Sequence, residues 1–548
     1  MLADWTDVKR SRVLAFWLLL TVAWFATGAI RPLLEPDEGR YAEIPREMWL
    51  SGDWVTPHLN GVVYIEKPPL QYWATAAAYT LFGLHEWTAR LWSLLLSLLA
   101  LPLVHAFASR LYNSRATGLA AAIALAASPY YVLIGQLNTL DGAFTTLLLA
   151  AVFALVLGQR EPDAARRWPL LLGAWVALAL AVLSKGIVAP LLAGGTLVAY
   201  SLCTRDFSPW RRMHWLPGLA VFAVIVVPWF WLVSARNPDF MYFFFVHEHF
   251  TRFLTTVHER VEPWWYFGLI ALLALLPWWR AIPRTIRGLR LTDAAATGFR
   301  PELFLKLWFA VVVVFFSLSG SKLATYILPS MPAAAVLLGP QLLRKPHNFR
   351  TAAATTAVLI LLTAAGLCVI ALRRDADGAP LMALMTWAGV GVAVAVAAWF
   401  WSRRPPKEAG DPVSWAPVAF GAVLAWQSLL ISAAALPPVR TTKSLVAQVR
   451  HLVGPATRIY SVGHYWQTLP VYLGRTVQLA AYRGELEFGL DHAAGGEIPT
   501  LEAFAAAWQR DTDAVAFMTP GAQAKLAALG LPGRVVASGD RSIVMVRQ

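Results

Sequence analysis

Long apolar runs alternate with polar gaps from residue 13 to residue 436. A helix that crosses a hydrocarbon core of about 30 Å needs about 20 apolar residues. Thirteen runs reach or approach this length, so the pattern predicts an all-α polytopic membrane protein of about 13 transmembrane helices. The predicted spans are residues 13–30, 89–109, 116–135, 140–158, 168–184, 186–203, 215–235, 263–279, 302–319, 323–343, 351–372, 381–401 and 414–436.

The pattern changes in the last part of the chain, where short strand-like stretches alternate with helical ones. This alternation predicts a small α/β domain over residues 437–548, after a transmembrane domain over residues 1–436. We assign the small domain no nucleotide, because its sequence has neither a G-x-G-x-x-G motif nor a P-loop. The predicted strands are residues 458–462, 476–480, 514–519, 534–538 and 543–546, and the predicted helices are residues 442–452, 501–509 and 522–529.

Composition excludes an ordinary soluble enzyme. Of the 548 residues, 58% are hydrophobic and 14% are charged, and the mean hydropathy is +0.54. A soluble domain is usually about 45–50% apolar and about 25% charged. The formal net charge of +14 would suggest a nucleic-acid partner in a soluble protein. In a membrane protein the same excess is expected from basic residues on the cytoplasmic side, so we expect no nucleic-acid partner.

The distribution of Lys and Arg predicts the orientation of the chain. The N-terminal segment and every second gap between predicted spans carry about twice as many basic residues as the remaining gaps. The positive-inside rule therefore places the N-terminus in the cytoplasm and, with thirteen spans, the C-terminal domain outside. Two long loops, residues 31–88 and 236–262, then lie on the outer side.

The first outer loop carries carboxylates and cations in alternation. Its charged segments read EPDEGRY at residues 35–41 and YIEKPPL at residues 64–70. This mixture suits a site that holds an anionic ligand and also positions an acid or a base. Pro68 favours an extended backbone at Lys67, so Glu66 and Lys67 are expected to point to opposite sides. A solvated loop whose charges keep it out of the lipid is the alternative explanation.

The second outer loop contains an aromatic run next to two histidines, with the sequence FFFVHEHF at residues 243–250. His247 and His249 would share one side only in an extended segment. A metal ion could bind there with a carboxylate from elsewhere, although two histidines alone are a weak signal. Alternatively, the aromatic run lies at the membrane interface.

Three further ionisable residues fall on the same outer side: Asp141 at the start of a span, Lys185 in a short turn, and Lys322 before another span. Lys322 and Tyr326 are predicted to share one helix face. Ionisable groups at membrane depth are costly, although each lysine alone could snorkel to the interface. Together with the two loops, these residues predict a cavity at the outer membrane boundary for a ligand that is both phosphorylated and lipidic. If a sugar leaves such a phosphate, fixed cations stabilise the charge that develops.

These segments resemble a known enzyme family. They are similar to the aminoarabinose lipid A transferases, within the GT-C class of polyprenyl-phosphate-dependent glycosyltransferases that is related to protein O-mannosyltransferases. The motifs are specific for this superfamily and less specific for the sugar that is moved. The resemblance is carried by PDEGRYAEIPREM at residues 36–48, GDWVTP at 52–57, NG at 60–61, EKPPLQYW at 66–73 and SKLATYILP at 321–329.

The resemblance implies a multi-pass enzyme of the bacterial inner membrane, with its active site and C-terminal domain in the periplasm. It implies transfer of aminoarabinose from undecaprenyl phosphate to a lipid A phosphate, which gives resistance to polymyxin and other cationic antimicrobial peptides. The expected reaction is a pentosyl transfer by direct displacement, with inversion at the anomeric carbon. The implied partners are the undecaprenyl-phosphate-linked sugar donor, the lipid A acceptor and membrane lipids.

The resemblance also assigns roles to individual residues. It makes Asp37 the central catalytic carboxylate with Glu66 near it. A divalent ion, Zn²⁺ or Mg²⁺, could bind Glu66 and His247, but the resemblance does not establish that a metal is required. Lys67, Arg252 and Tyr326 are expected to hold the carrier phosphate. The residues expected to line the cavity are Arg40, Tyr41, Asp141, Lys185 and Lys322.

Other functions stay open at this point. A GT-C transferase could move another sugar, such as mannose, from a polyprenyl phosphate to protein or to a glycolipid. A transporter of lipid-linked sugars also uses many spans and intramembrane charges. The chain shows no paired halves with corresponding broken helices, however, and its charged clusters lie on one predicted side of the membrane.

Overall fold

Apolar helices form the bulk of the molecule. The computed structural model describes residues 10–251, 261–287, 297–345, 347–374, 378–404, 412–436, 440–493 and 497–547. Within these residues, nine helices are long and apolar enough to cross a membrane. They are Glu86–Tyr112, Leu140–Arg160, Ala164–Lys185, Trp215–Arg236, Pro301–Leu318, Ala324–Arg344, His347–Arg373, Gly378–Ser402 and Pro412–Ala434.

Shorter or bent helices account for the remaining predicted spans. Arg115–Ala126 and Pro129–Gly135 form a pair bent by 69°. The bend occurs because Pro129 cannot extend the preceding helix, and the Ser128 side chain caps the second helix instead. By length and composition, the described residues supply nine spans, or ten if this pair counts as one, so the number thirteen stays a prediction. The shorter apolar helices are Arg10–Phe25, Val188–Thr204, and Tyr266–Leu275 with its 3₁₀ extension Leu276–Trp278.

The first outer loop is folded. Its turn residues Asn60 and Gly61 have φ angles of 55° and 78°, which allow a tight two-residue hairpin turn. Short helices also connect membrane helices elsewhere, at Ser208–Arg211 and Ile282–Arg287. The elements of the first loop are helix Asp37–Ser51, strands β1 (His58–Leu59) and β2 (Val62–Val63), and helix Leu70–Phe82.

The C-terminal domain contains six strands: β3 (Arg458–Val462), β4 (Gln478–Ala480), β5 (Glu497–Ile498), β6 (Ala514–Met518), β7 (Arg534–Ser538) and β8 (Ile543–Arg547). They form one sheet in the order β5-β4-β3-β6-β8-β7. The first four strands in that order are parallel, and β8 is antiparallel to both β6 and β7. The five predicted strands are confirmed. The sequence did not predict β5, because two residues carry no alternation pattern.

Helices connect these strands and cover the sheet. The three predicted helices are present with small shifts at their ends, and two shorter ones were not predicted. The predicted domain boundary at residue 437 falls outside the described residues. The helices are Lys443–Val449, Leu469–Leu473, Glu487–Asp491, Leu501–Arg510 and Pro520–Ala528, with 3₁₀ turns at Arg450–Leu452 and Gly484–Leu486.

The C-terminal domain packs on the folded first loop, so both lie on the same face of the helical bundle. Ile44 and Leu59 of the loop share a hydrophobic cluster with Trp466 of the domain. The Asn60 side chain also exchanges two hydrogen bonds of 2.8 Å with the backbone of Val477. These contacts fix the domain over the ends of the membrane helices on that face.

Gly39 lies at a close approach between the loop and the domain. A Cβ at this position would lie 2.6 Å from the carbonyl carbon of Gln467 and 2.7 Å from the backbone nitrogen of Thr468. Overpacking of this kind costs about 1–3 kcal/mol, so we expect Gly39→Ala to lower the Tm of the purified protein. Gly173→Ala is the control, since its Cβ would meet open space. Equal Tm values for the two variants would contradict the close approach.

Candidate active site

A cavity of about 1130 Å³ opens between the helical bundle and the C-terminal domain. Its walls come from the first outer loop, the ends of several membrane helices, the π-helix Tyr242–Thr251 and the domain itself. Nine predicted site residues, far apart in sequence, line this one cavity. Their shared location is a finding, while their individual roles stay predictions. They are Asp37, Arg40, Tyr41, Glu66, Lys67, Asp141, Lys185, His247 and Tyr326.

Two predicted site residues, Lys322 and Arg252, are not among these nine lining residues. The prediction that Lys322 and Tyr326 share a helix face is wrong, because Leu323 between them is extended, with φ −122° and ψ 140°. The 3₁₀ helix Ala324–Ser330 begins only after that residue. Tyr326 therefore reaches the cavity, whereas Lys322 is nearly buried and is not among the described lining residues. Arg252 lies outside the described residues.

Asp37 stands at the cavity wall beside an arginine that links the loop to the C-terminal domain. The Asp37 carboxylate is half exposed and lies 3.2 Å from Nη1 of Arg40. Arg40 also pairs with Glu485 of the C-terminal domain. Glu485 is not among the predicted site residues, because nothing in a single sequence links positions 40 and 485. The domain thus contributes a carboxylate to the site.

Glu38, next to Asp37, has a structural role. Its carboxylate is 2% exposed and lies 2.8 Å from Nε of Arg90, and it also pairs with Arg31. The backbone N–H groups of Leu34 and Asn138 each donate to it at 3.0 Å. Burial alone would raise the pKa of the Glu38 carboxyl, but the two guanidiniums lower it well below its ordinary value. This network anchors the start of the helix that carries Asp37.

Lys185 and Asp141, two separate features of the sequence, form an ion pair in the cavity wall. Asp141 stands in the first turn of one membrane helix and Lys185 in the last turn of the next. The Lys185 ammonium also lies 5.0 Å from the centre of the Tyr326 ring and 5.5 Å from that of Phe144. The pair places a cation and a carboxylate at membrane depth, where an ionisable group is a functional candidate.

Lys67 is held by a carboxylate from the second outer loop. Its Nζ lies 2.9 Å from Oε2 of Glu248 and donates to the backbone carbonyl of Glu66 at 2.9 Å. Glu248 is almost fully buried and is not among the predicted site residues. The ammonium therefore contacts the backbone of Glu66, and both residues line the cavity. The expectation that their side chains form no simple local pair stays a prediction.

The second loop is helical where the histidines stand. Because Tyr242–Thr251 is a π-helix, the extended geometry that two histidines need for one shared side is absent. Two members of the aromatic run pack against other parts of the protein, while a position of the run at the membrane interface stays a prediction. Phe244 is buried, and Phe243 stacks on His247 and on Phe488 of the C-terminal domain, with centroids 5.2 Å and 4.2 Å apart.

A second contact links the domain to this segment. Nε2 of His492 lies 3.0 Å from Oδ2 of Asp239, just before the π-helix. A hydrogen bond with the Phe488 carbonyl and the Asp239 carboxylate raise the pKa of His492. The π-helix that carries His247 and Glu248 is therefore held against the C-terminal domain.

The metal assignment stays a prediction. Glu66 and His247 both line the cavity, as a shared ion would require. In the described ranges, however, no group of three or more His, Cys, Asp and Glu side chains forms a ready metal site.

The buried carboxyl group of Glu35 should make the stability of the folded protein depend on pH. It accepts a hydrogen bond from Oγ1 of Thr468 at 2.8 Å, and burial raises its pKa to about 7. A carboxyl whose folded-state pKa is raised stabilises the fold below pH 4.5, its ordinary value, and loses that contribution as pH rises to 7. Between pH 5 and pH 8 the Tm of the wild type should therefore fall relative to Glu35→Gln. Glu502→Gln, at an exposed position, is the control variant. A Tm difference between the wild type and Glu35→Gln that stays constant from pH 5 to pH 8 would contradict this assignment.

Comparison with known proteins gives consistent matches over most of the chain. The family model for dolichyl-phosphate-mannose-protein mannosyltransferases matches residues 11–244, and that for the aminoarabinose transferase C-terminal domain matches residues 445–547. The undecaprenyl phosphate-alpha-4-amino-4-deoxy-L-arabinose arabinosyl transferase of Pseudomonas aeruginosa is 31% identical over 503 residues, which cover 87% of each chain. The enzyme of that name from Erwinia tasmaniensis is 30% identical, over 70% of this chain and 72% of its own.

Two crystal structures match the whole architecture. ArnT from Cupriavidus metallidurans bound to undecaprenyl phosphate superposes with a TM-score of 0.88, at 33% identity and 98% coverage of both chains. Its apo form gives a TM-score of 0.85 at 32% identity, with the same coverage.

The helical bundle, the charged cavity at its end and the covering α/β domain define a membrane-embedded glycosyltransferase of the GT-C class. Within that class, the chain belongs to the aminoarabinose transferase family.

Proposed function

We propose that this protein transfers aminoarabinose from undecaprenyl phosphate to a lipid A phosphate at the periplasmic face of the bacterial inner membrane. One observation carries the proposal: Lys67, Lys185 and Arg40 line the same cavity as Asp37, at the end of the membrane helices. Such a place admits an anionic headgroup and a sugar while the lipid chains stay in the bilayer. The relatives named above supply the identity of the sugar and its carrier.

The cations are suited to the leaving phosphate. When the bond between the anomeric carbon and the phosphate oxygen breaks, the phosphate of the carrier gains negative charge. Lys67 and Lys185 are each held by a carboxylate, Glu248 and Asp141, so they need little reorganisation when this charge develops. Arg252 keeps the carrier-phosphate role that the resemblance implies.

An apolar cavity of about 820 Å³ adjoins the charged one. The two share Ile187 in their walls. Aliphatic and aromatic side chains make up nearly all of this lining, which suits the isoprenoid chain of the carrier. Several of the residues are aromatic. These residues include Trp175, Trp215, Phe222, Phe230 and Phe245.

The acceptor chemistry assigns Asp37 an orienting role. A hydroxyl acceptor benefits from a general base, whereas a lipid A phosphate is anionic at neutral pH and attacks unaided. Asp37 therefore orients the acceptor or pairs with the ammonium of the sugar. Attack opposite the leaving phosphate inverts the anomeric carbon.

Asp37→Asn tests this role. We expect the variant to lose at least about 10² in transfer rate, since it removes the charge that orients the substrates in the cavity. The measurement is product formation by the purified protein with its polyprenyl donor, using lipid A and a peptide as alternative acceptors. Near-wild-type activity of Asp37→Asn would remove the residue from the mechanism. Transfer to the peptide alone would replace the proposed function by that of a protein glycosyltransferase.

The orientation follows from the charge distribution. The first loop and the C-terminal domain lie on one face of the bundle, and the basic gaps are predicted to lie on the other. The positive-inside rule therefore supports a periplasmic position for the cavity.

A further inference from the structure

A second charged pocket lies at the other end of the membrane helices. Its volume is about 740 Å³, and it forms where Glu86–Tyr112 and Leu140–Arg160 end and Ala164–Lys185 begins. A helix rises about 1.5 Å per residue, so Asp141 and Arg160 lie about 30 Å apart along one helix. The pocket is therefore separated from the catalytic cavity by about the thickness of the hydrocarbon core.

Arginines dominate this pocket. Arg110, Arg160 and Arg166 line it together with Glu161. Nη1 of Arg160 donates to the backbone carbonyls of Arg110 and Leu111, at 2.8 Å and 2.9 Å. This guanidinium therefore caps the end of a neighbouring helix and is held in place at the pocket wall.

Two more arginines increase the positive charge beside the pocket. Arg212 donates to the backbone carbonyl of Glu161. Burial lowers the pKa of Arg212, the positive charge of Arg167 lowers it further, and the negative charge of Glu161 raises it.

The nearby carboxylates do not balance this charge. Asp163 lies 3.6 Å from Arg166, but both side chains are exposed, and such a pair contributes little. Glu161 is the carboxylate that lines the pocket itself. Of the described charged side chains that line the pocket, three are guanidiniums and one is a carboxylate, an arrangement that an added anion would stabilise.

The remaining pocket walls are apolar. Leu157, Pro169 and Leu170 line the pocket, and Trp168 beside them is 43% exposed. Tryptophan is typical of the membrane–water interface, so the pocket opens at the level of the lipid headgroups. A soluble anion uses only the arginines, whereas a phospholipid uses the arginines and the apolar walls together.

We propose that this pocket binds the headgroup phosphate of an anionic glycerophospholipid. Arg110 and Arg166 hold the phosphate, Arg160 forms the fixed wall, and the acyl chains lie along Leu157 and Leu170. Basic pockets between membrane helices on the cytoplasmic side are typical sites for such lipids. The site is independent of the proposed reaction, because it lies at the opposite ends of the helices.

Native mass spectrometry of the purified full-length protein tests the site. The protein is mixed with equal amounts of phosphatidylglycerol and phosphatidylethanolamine, and the lipids that stay bound are counted. We expect the wild type to retain phosphatidylglycerol over phosphatidylethanolamine by at least about fivefold, and Arg110→Gln/Arg166→Gln to lose that preference. The matched control, Arg284→Gln/Arg287→Gln, removes two exposed arginines from helix Ile282–Arg287 and should keep it.

Two further measurements make the result decisive. Arg166→Gln alone changes a side chain that is 77% exposed, so it should fold with an unchanged Tm and show part of the loss. An excess of glycerol 3-phosphate should leave the bound phosphatidylglycerol in place. Displacement by that soluble phosphate, or equal lipid retention by the wild type and the double variant, would overturn the proposal.

Discussion

Lys67→Ala should lower the rate of sugar transfer by about 10²–10³, which is the usual effect of removing one fixed group that stabilises developing charge. The Lys67 ammonium lies in the cavity and is fixed by Glu248 at 2.9 Å. Its removal takes away a positive charge where the leaving phosphate becomes more negative. It also leaves the almost fully buried carboxylate of Glu248 without this partner, which makes the local potential more negative.

The loss should fall mainly on kcat, because the charge that Lys67 stabilises develops in the transition state. Lys67→Arg keeps the charge and should recover part of the rate. Lys443→Ala, which removes an exposed lysine paired with Glu86 outside the cavity, is the matched control and should act like the wild type. A transfer rate for Lys67→Ala within threefold of that control would show that this cation has no part in the reaction.

Glu38→Gln should destabilise the folded protein by about 3–5 kcal/mol, because it leaves two buried guanidiniums without their shared carboxylate. Arg31 and Arg90 are both nearly buried, and the backbone N–H groups of Leu34 and Asn138 donate to the same carboxylate. The loss should appear as a large fall in the Tm of the purified protein. Since this network fixes the start of helix Asp37–Ser51, we expect transfer activity to fall as well.

A comparison with an exposed ion pair gives this prediction its control. Asp163→Asn weakens a pair with Arg166 in which both side chains are at least half exposed, and it should change the stability by less than about 1 kcal/mol. Similar Tm values for Glu38→Gln and Asp163→Asn would contradict the structural role of the buried network.

Local patterns in the sequence predicted the secondary structure well. Apolar length identifies a membrane helix without reference to distant residues, so every predicted span coincides with helical structure in the described residues. Alternation likewise identified the strands of the C-terminal domain. The hairpin at Asn60 and Gly61 was not predicted, although Asn-Gly is a hairpin turn signal. The charged residues of this loop indicate a site and carry no information about a hairpin.

Most residues of the candidate site could be predicted from the sequence, but the ion pairs that they form could not. Asp141 and Lys185 were each notable as ionisable residues at membrane depth, but their contact depends on how two helices pack. Asp37 and Glu38 are adjacent in sequence, and only the fold separates the cavity-lining carboxylate from the buried one. Glu485 carries no local signal, since its partner Arg40 lies in the first outer loop.

Two backbone conformations near the site could not be predicted from the sequence. The predicted helix face common to Lys322 and Tyr326 is wrong, because the backbone is extended at Leu323 and the helix starts after it. The segment with the aromatic run forms a π-helix, in which Phe243 stacks on Phe488 of the C-terminal domain. In both cases tertiary packing decides a backbone conformation that local composition leaves open.

The most direct test of the proposed function is mass spectrometry of lipid A from cells with and without the gene. Cells that carry the gene, and that supply the polyprenyl donor, should contain lipid A with the added mass of an aminopentosyl residue on phosphate, and cells without it should not. Identical lipid A from the two strains, with the protein present and folded in the first, would contradict transfer of the sugar to this acceptor.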